Sequence, residues 1–446
     1  MISITKETRK VLDILNKAGY EAYMVGGAVR GALMGIKADD IDITTNAVPQ
    51  KVKELFSRYK VIETGIKHGT VTVIVDKEKF EITTYRKENE YSDNRHPDNV
   101  EFTDSLKEDC ARRDFTMNAV CYNPNCGFKD FYSGEDDINK KIIRCVGDPD
   151  KRMKEDALRI LRAVRFVSTL GFEMEESTKK AVFENKNLLN NIAPERICEE
   201  LKKLLCGDNI KNTMLEYVDV ISVVIPHVKE MEHFDQRNPH HVYDVLTHTA
   251  IVMENTPPEP RLRMAALLHD MAKPKVFRLD SKGIGHFHHH AEAGAEYADE
   301  VSEKLRLSNE DKKFLRDIVL YHDDLIEPNE KAVRKALNKF GEPFLRQLLI
   351  IKRADNKGQN TADYDRTQEY DNLEKMIDYV VENDKAFSLR QLKINGNDLE
   401  KIGIKPSCET GKILNELLDM VIDGYVDNDT EKLLEKAKGL HNKTML

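Results

Sequence analysis

The run Gly26-Gly27-Ala28-Val29-Arg30, followed by Ala38-Asp39-Asp40-Ile41-Asp42-Ile43-Thr44-Thr45, decides how this chain is read. Side chains alternate along a strand, so Asp40 and Asp42 project together at roughly 6–7 Å while Ile41 and Ile43 enter a core. Residues 21–25 read as the preceding strand, and the glycine pair opens a helix. There the exposed N–H groups and the helix N-terminus favour an anion, and Arg30 in the first turn adds a full positive charge. A triphosphate cradle beside a clamp for divalent metal is the chemistry this combination serves. Carboxylate oxygens are the ligands hard Mg2+ prefers, and a two-metal site activates an attacking hydroxyl while neutralising a leaving pyrophosphate.

Working outward, residues 6–18 have helical apolar spacing through Val11, Leu12, Ile14 and Leu15. Residues 71–75 and 80–85 alternate with period two around Asp76-Lys77-Glu78-Lys79, which predicts a hairpin. Glu81 on its second arm either faces the Asp40/Asp42 site or is an ordinary exposed strand glutamate. From about residue 150 the strand signals fade. Residues 155–167, 175–183, 195–205, 242–253, 261–269 and 331–339 carry apolar side chains at helical spacing, while Thr256-Pro257-Pro258-Glu259-Pro260 is a loop.

With 446 residues the chain exceeds a single core; 40% hydrophobic and 33% charged residues, with no apolar run long enough to span a bilayer, read as soluble and globular. No secretion signal is legible at Met1-Ile2-Ser3-Ile4, and seven scattered cysteines form neither a disulfide framework nor a zinc motif, so a cytoplasmic location is expected. The net charge of −9 does not exclude a nucleic-acid partner, because Lys151-Arg152-Met153-Lys154, Arg159/Arg162/Arg165 and Lys202-Lys203 suffice for a local basic patch.

Six motifs, in order, bring a family into view: Gly26-Gly27-Ala28-Val29-Arg30; Asp40-Ile41-Asp42; His68-Gly69-Thr70-Val71-Thr72-Val73; Phe80-Glu81-Ile82-Thr83-Thr84-Tyr85-Arg86; Arg112-Arg113-Asp114-Phe115-Thr116-Met117-Asn118-Ala119; and Glu155-Asp156-Ala157-Leu158-Arg159-Ile160-Leu161-Arg162. Together they closely resemble the bacterial class II tRNA nucleotidyltransferases, the CCA-adding enzymes of the polymerase β superfamily. The resemblance covers the first ~205 residues strongly and the tail weakly. It implies an α+β fold: a polymerase-β-like α/β head followed by an all-helical neck, body and tail. It also implies addition of C, C and A to the tRNA 3′ end from CTP and ATP, with pyrophosphate leaving. Asp40 and Asp42 would hold Mg2+, Gly27 and Arg30 the triphosphate, and Arg112, Arg113, Asp114 and Asn118 would line ribose and triphosphate. Gly31 departs from the family, which usually has an aspartate there.

The resemblance assigns base choice to Asp156 and Arg159, read as sharing one helix face with Arg162. A carboxylate only accepts and a guanidinium only donates, so the pair matches the exocyclic amine and ring nitrogen that cytosine and adenine share and that uracil and guanine lack. Tyr91-Ser92-Asp93-Asn94-Arg95-His96-Pro97 resembles the loop of enzymes that complete the terminal A. Further along, His248, His269-Asp270, His290, His322 and Asp355 resemble the HD phosphohydrolase superfamily. Of these, His248, His269, Asp270 and Asp355 supply a ligand set for Mn2+, Ni2+, Fe2+ or Mg2+, and the run His286-Phe287-His288-His289-His290 is a candidate phosphate binder. The expected domains are the head at 1–142, a neck with the base template at 143–206, a body with the HD region at 207–365 and a tRNA-binding tail at 366–446. A-only or CC-only addition, an HD phosphohydrolase or phosphodiesterase, and a tRNA-binding protein without turnover are the alternatives. No membrane partner is expected.

Overall fold

A computed structural model of the chain describes residues 2, 4–36, 40–88, 100–383 and 385–444, and the loop at 91–97 lies outside them. The fold is α+β. It divides into two compact units, residues 1–230 with 301–307 and residues 231–300 with 308–446.

A seven-stranded sheet underlies the first unit, in the order Lys60–Ile62, Thr70–Val75, Glu78–Thr84, Ile41–Thr45, Ala22–Val25, Cys121–Asn123 and Gly127–Lys129. Ile41–Thr45 runs parallel to Glu78–Thr84 and antiparallel to Ala22–Val25. The period-two pattern does what it predicts: Val71, Val73 and Val75 are buried with Phe80, Ile82 and Ile43 against Val11, Leu12 and Leu15 of the helix Lys6–Lys17. On the other face Tyr23, Val25, Tyr85, Cys110 and Cys121 form a second apolar layer.

Two local readings change. The hairpin turn is two residues long rather than four: Asp76 and Lys77 both have positive φ (47° and 79°), and Val75 pairs directly with Glu78. Such a turn matches the right-handed twist of the flanking strands. The helix expected over 155–167 is two helices, Pro149–Glu155 and Leu158–Leu170, with Asp156 extended between them (φ −133°, ψ 101°). Oδ1 of Asp156 accepts from the Leu158 N–H at 3.2 Å, a local bond that competes with helix continuation. Asp156 therefore does not share a helix face with Arg159 and Arg162. The first compact unit runs to residue 230. The chain at 207–209 is tied to Leu158–Leu170: the Asn209 N–H donates to the Ser168 carbonyl at 3.0 Å, and its Nδ2 donates to Val167 O at 3.3 Å.

The second unit is helical, with Val245–Glu254, Pro260–Leu268, Asn309–Tyr321, Glu330–Phe340 and Glu342–Lys357 among its elements. Its C-terminal helices Gly396–Lys401, Cys408–Ile422 and Thr430–Thr444 close around Leu399, Ile413, Leu417 and Leu433. Among the described residues no helix is long and apolar enough to cross a membrane.

A Cβ on Gly207 would meet Ser168 Oγ at 2.2 Å and the Ser168 backbone at 2.4 Å. Gly207→Ala is expected to cost about 1–3 kcal/mol through overpacking, seen as a lower urea midpoint at unchanged slope. An unchanged midpoint would contradict this packing.

Candidate active site and metal centre

A cavity of about 500 Å3 is walled by Gly26, Gly27, Gly31, Asp40 and Asp42 on one side and Arg30, Arg113, Asp114, Asn118, Arg162, Arg165 and Phe166 on the other. Gly26 makes the turn into the helix Gly27–Leu33 with φ +71°, a conformation L side chains rarely adopt, and its added Cβ would lie 3.3 Å from Asp42 Oδ2. Backbone and carboxylate thus meet closely only because no side chain intervenes. Asp42 stands beside Glu81 in the parallel ladder and beside Val25 in the antiparallel one. Burial raises the Asp42 carboxyl above its ordinary value; Glu81 and Asp40 add to the rise, while Arg113 opposes it. Asp40, Asp42 and Glu81 supply carboxylate oxygens of the kind hard Mg2+ prefers. Glu81 shares the Asp42 face, and Lys79 Nζ holds it at 2.6 Å.

The opposite wall is a lattice of arginines and acids. Asp114 accepts from Arg162 Nε (2.9 Å) and Nη2 (2.6 Å) through one oxygen, and from Asn118 Nδ2 (2.9 Å) and the Phe115 N–H (2.8 Å) through the other. Burial would raise its carboxyl, but Arg162 and Asn118 hold it well below the usual range. Arg30 Nη1 donates to Asn118 Oδ1. Arg30, Arg162 and Arg165 surround the Phe166 ring, at 4.8, 5.7 and 4.1 Å from its centroid. Burial, with Arg165 and Arg162 close by and Asp114 offsetting, pulls Arg30 down to about 10. That crowding of cations around a water-poor wall favours a polyanion.

Of the residues expected here, Gly27, Arg30, Asp40, Asp42, Arg113, Asp114, Asn118 and Arg162 line the cavity. Arg112, Asp156 and Arg159 are not among its lining residues. Arg112 instead clamps the buried Asp109 through Nε (2.9 Å) and Nη2 (2.8 Å), and Arg113 Nη2 reaches the other Asp109 oxygen at 3.3 Å. Arg159 donates to Glu155 Oε2 and to the Arg112 carbonyl, both at 2.9 Å, while Asp156 Oδ2 accepts from Arg196 Nη2 at 3.3 Å. Asp109, Arg165 and Phe166 were missed as site residues. The spacing of Arg162, Arg165 and Phe166 on one helix could have shown the last two, whereas Asp109 looks like any helical acid.

In the second unit, His248, His269, Asp270 and Asp355 come together from two helices, Val245–Glu254 and Glu342–Lys357, and the residues that follow a third, Pro260–Leu268. His248 Nε2 lies 3.2 Å from His269 Nε2, 3.2 Å from Asp270 Oδ2 and 3.0 Å from Asp355 Oδ1. Each imidazole spends Nδ1 on a backbone carbonyl, His248 on Gly358 at 3.0 Å and His269 on Ala266 at 2.7 Å. This fixes the ring and presents Nε2 as the ligand atom, the usual arrangement behind metal-bound histidine. Burial opposes protonation, yet the two carboxylates raise both imidazoles above their ordinary value, so the cluster draws positive charge.

Comparison with known proteins bears on both units. Residues 22–144 match the family model described as the poly A polymerase head domain, residues 171–231 that of the probable RNA and SrmB-binding site of polymerase A, and residues 282–437 that of a putative tRNA nucleotidyltransferase domain 2. The CCA-adding enzyme of Ligilactobacillus salivarius is 34% identical over 443 residues, 98% of each chain. The chain belongs to the CCA-adding enzyme family. A second CCA-adding enzyme, from Lactobacillus helveticus, is 49% identical over 209 residues, covering 47% of this chain and 52% of that one. Among solved structures, the Bacillus stearothermophilus CCA-adding enzyme in complex with CTP matches with TM-score 0.75 and 26% identity over 99% of this chain and 98% of that one.

The clamp behind Arg112 and Arg113 can be tested by pH. Burial alone would raise the Asp109 carboxyl, but the two arginines hold it below 3.8. Its stabilising charge is therefore complete above about pH 4 and is lost as pH falls through the depressed folded value. Asp109→Asn should lower stability at pH 7 by roughly 3 kcal/mol and flatten the acid limb of the stability profile below about pH 4. Denaturant titrations across pH check this; an acid limb as steep as the wild type's would contradict it.

Proposed function

We propose that this protein adds C, C and A to the 3′ end of tRNA, taking CTP and ATP and releasing pyrophosphate. The observation that carries this reading is the cavity itself, in which Asp40 and Asp42 face Arg30, Arg113, Arg162 and Arg165. In this reading the tRNA 3′-hydroxyl attacks the α-phosphorus beside Asp42. Arg30 and the N–H groups that open Gly27–Leu33 draw the β- and γ-phosphates along the arginine wall, and Asp114 and Asn118 hold the ribose. Mg2+ held by Asp40 and Asp42 would supply Lewis-acid activation of the hydroxyl and neutralise the departing pyrophosphate. The protein's own part is positioning and electrostatics. Asp109 serves the site indirectly by fixing Arg113. Duplex RNA is recognised through shape and backbone, so the tRNA is held by basic residues without sequence readout. Cytoplasmic tRNA processing is the setting this implies.

Base choice falls to Asp156 and Arg159 in this proposal. The support is chemical: Asp156 accepts one N–H from Leu158 and one from Arg196, which leaves acceptor capacity on its carboxylate for an exocyclic amine. Asp156→Ala or Arg159→Ala should relax discrimination against UTP and GTP by roughly 5- to 150-fold, the equivalent of about 1–3 kcal/mol per lost pairing. Single-nucleotide incorporation assays read this, and full CTP and ATP selectivity in either variant would remove the template role. For the overall reaction, tRNAs lacking one, two or three terminal nucleotides are each incubated with CTP and ATP. All three should be completed; extension of only the tRNA that lacks the final A would mark an A-adding enzyme, and extension of none would refute the proposal.

The convergence of His248, His269, Asp270 and Asp355 supports a second reading for the other unit, a transition-metal site of the HD type with hydrolytic potential toward phosphate esters. Phosphodiesterase activity on 2′,3′-cyclic nucleotides that requires Mn2+ or Ni2+ and vanishes in His269→Ala, with CCA addition retained, is the expected result. Absence of activity with every divalent metal would leave these residues a structural cluster.

A further inference from the structure

Two cysteines touch close to the Asp109 clamp. Cys110, in the helix Leu106–Ala111, and Cys121, in the strand Cys121–Asn123, have their Sγ atoms 3.4 Å apart. Both are wholly buried, in the apolar layer they share with Tyr23, Val25 and Tyr85. A single buried cysteine acts as a small hydrophobe. Two in contact have a second option, because the sulfurs need only close to about 2.05 Å to be bonded.

What lies between the two thiols gives the contact its consequence. Arg113, Asp114 and Asn118, all lining the nucleotide cavity, belong to the loop that a Cys110–Cys121 bond would close. At one end of that loop Cys110 follows Asp109, which holds Arg112 and Arg113 and accepts from Thr44 Oγ1 at 2.9 Å. At the other end Cys121 pairs with Val25, the residue before the Gly26 turn. The sulfurs also differ in character. Their shared hydrogen bond holds the Cys110 thiol below its ordinary value, with Arg113 helping against burial, and raises that of Cys121. Cys110 is thus the nucleophile of the pair and Cys121 the partner that keeps its proton until it resolves. Because neither sulfur is exposed, the reagent the site admits is a small peroxide entering through local opening, not a bulky disulfide.

We propose that Cys110 and Cys121 are a peroxide-oxidised dithiol, a modification site whose disulfide closes the loop at 111–120 and displaces Arg113 from its place opposite Asp42. The Cys110 thiolate attacks one oxygen of hydrogen peroxide; the O–O bond breaks, hydroxide leaves and Cys110 becomes a sulfenic acid. The Cys121 sulfur then attacks that sulfur, gives up its proton as the S–O bond breaks, and water leaves. The first hydroxide takes up the proton that Cys110 lost. Two thiols and one peroxide therefore yield one disulfide and two waters, with sulfur oxidised and the peroxide oxygens reduced. Closing the contact draws the helix end toward the strand by more than about 1 Å, a displacement that costs up to ~10²-fold when it reaches a positioned catalytic group. In a thiol-rich compartment such a bond is transient and is undone by reduction, which makes it a switch. The effect on rate rests on the nucleotidyl-transfer reading of the cavity, whereas formation of the bond does not.

The test maps the bond on the full-length chain. Folded protein is treated with hydrogen peroxide, alkylated on unfolding and digested with trypsin without reduction. Residues 108–112, which hold Cys110, should be recovered linked to residues 114–129, which hold Cys121 and Cys126. The link should survive in Cys126→Ser. Alkylated, unlinked Cys110 and Cys121 would overturn the proposal, and so would a link that disappears in Cys126→Ser. In parallel, incorporation of C into tRNA should fall at least about tenfold on oxidation and return with dithiothreitol, while Cys110→Ala keeps its rate under the same peroxide. A linked chain with undiminished incorporation, or an equal reversible loss in Cys110→Ala, would overturn the switch. Untreated protein that incorporates nothing would instead remove the nucleotidyl-transfer reading, and the peptide map would still decide the bond.

Discussion

Parallel pairing of Ile41–Thr45 with Glu78–Thr84 is the constraint on which the head is organised. It sets Asp42 beside Glu81, while the antiparallel partner sets it beside Val25, the last residue before the Gly26 turn. The half-buried Asp42 is thereby set beside a second carboxylate, and the cost of its burial and of that neighbour is visible in its raised carboxyl. Such an arrangement is destabilising in itself. It persists because the sheet beneath it, closed over Ile43, Phe80 and Ile82, over-determines the backbone, and because Arg113 supplies a compensating charge from the facing wall.

The facing wall is stable for the converse reason. Asp114 binds Arg162, and Glu200 reaches Arg162 at 3.5 Å and Arg165 at 3.0 Å, so cations that would repel are spaced by acids behind them. Asp109 does the same for Arg112 and Arg113 from inside the first unit. Acids interleaved with the arginines fix the guanidinium groups in place, and no rearrangement is needed as charge moves to the leaving group.

How much of this was legible depends on the range of the interaction concerned. The glycine turn, the Asp40/Asp42 pair and the hairpin are local patterns, so sequence spacing predicts them. The family motifs name eight residues that line one cavity, and the ordered set at 248–355 anticipated the convergence of His248, His269, Asp270 and Asp355. What failed was the reading of continuity and of burial. Helical periodicity runs through Asp156 without interruption, yet its side chain accepts from the Leu158 N–H and the backbone leaves the helix there. Asp109 has the spacing of a surface acid, and only the tertiary approach of Thr44, Arg112 and Arg113 makes it a buried anchor.

The central claim is that the Asp42 carboxylate serves the chemical step and not nucleotide capture, which belongs to the arginine wall. Asp42→Asn, assayed for single-turnover incorporation of C into tRNA lacking its last three nucleotides alongside equilibrium binding of CTP, tests it most directly. The account predicts incorporation slowed roughly a thousandfold or more, as loss of several kcal/mol of transition-state stabilisation requires, with CTP affinity changed by less than about tenfold. Incorporation near the wild-type rate, or loss of activity matched by loss of CTP binding, would contradict it.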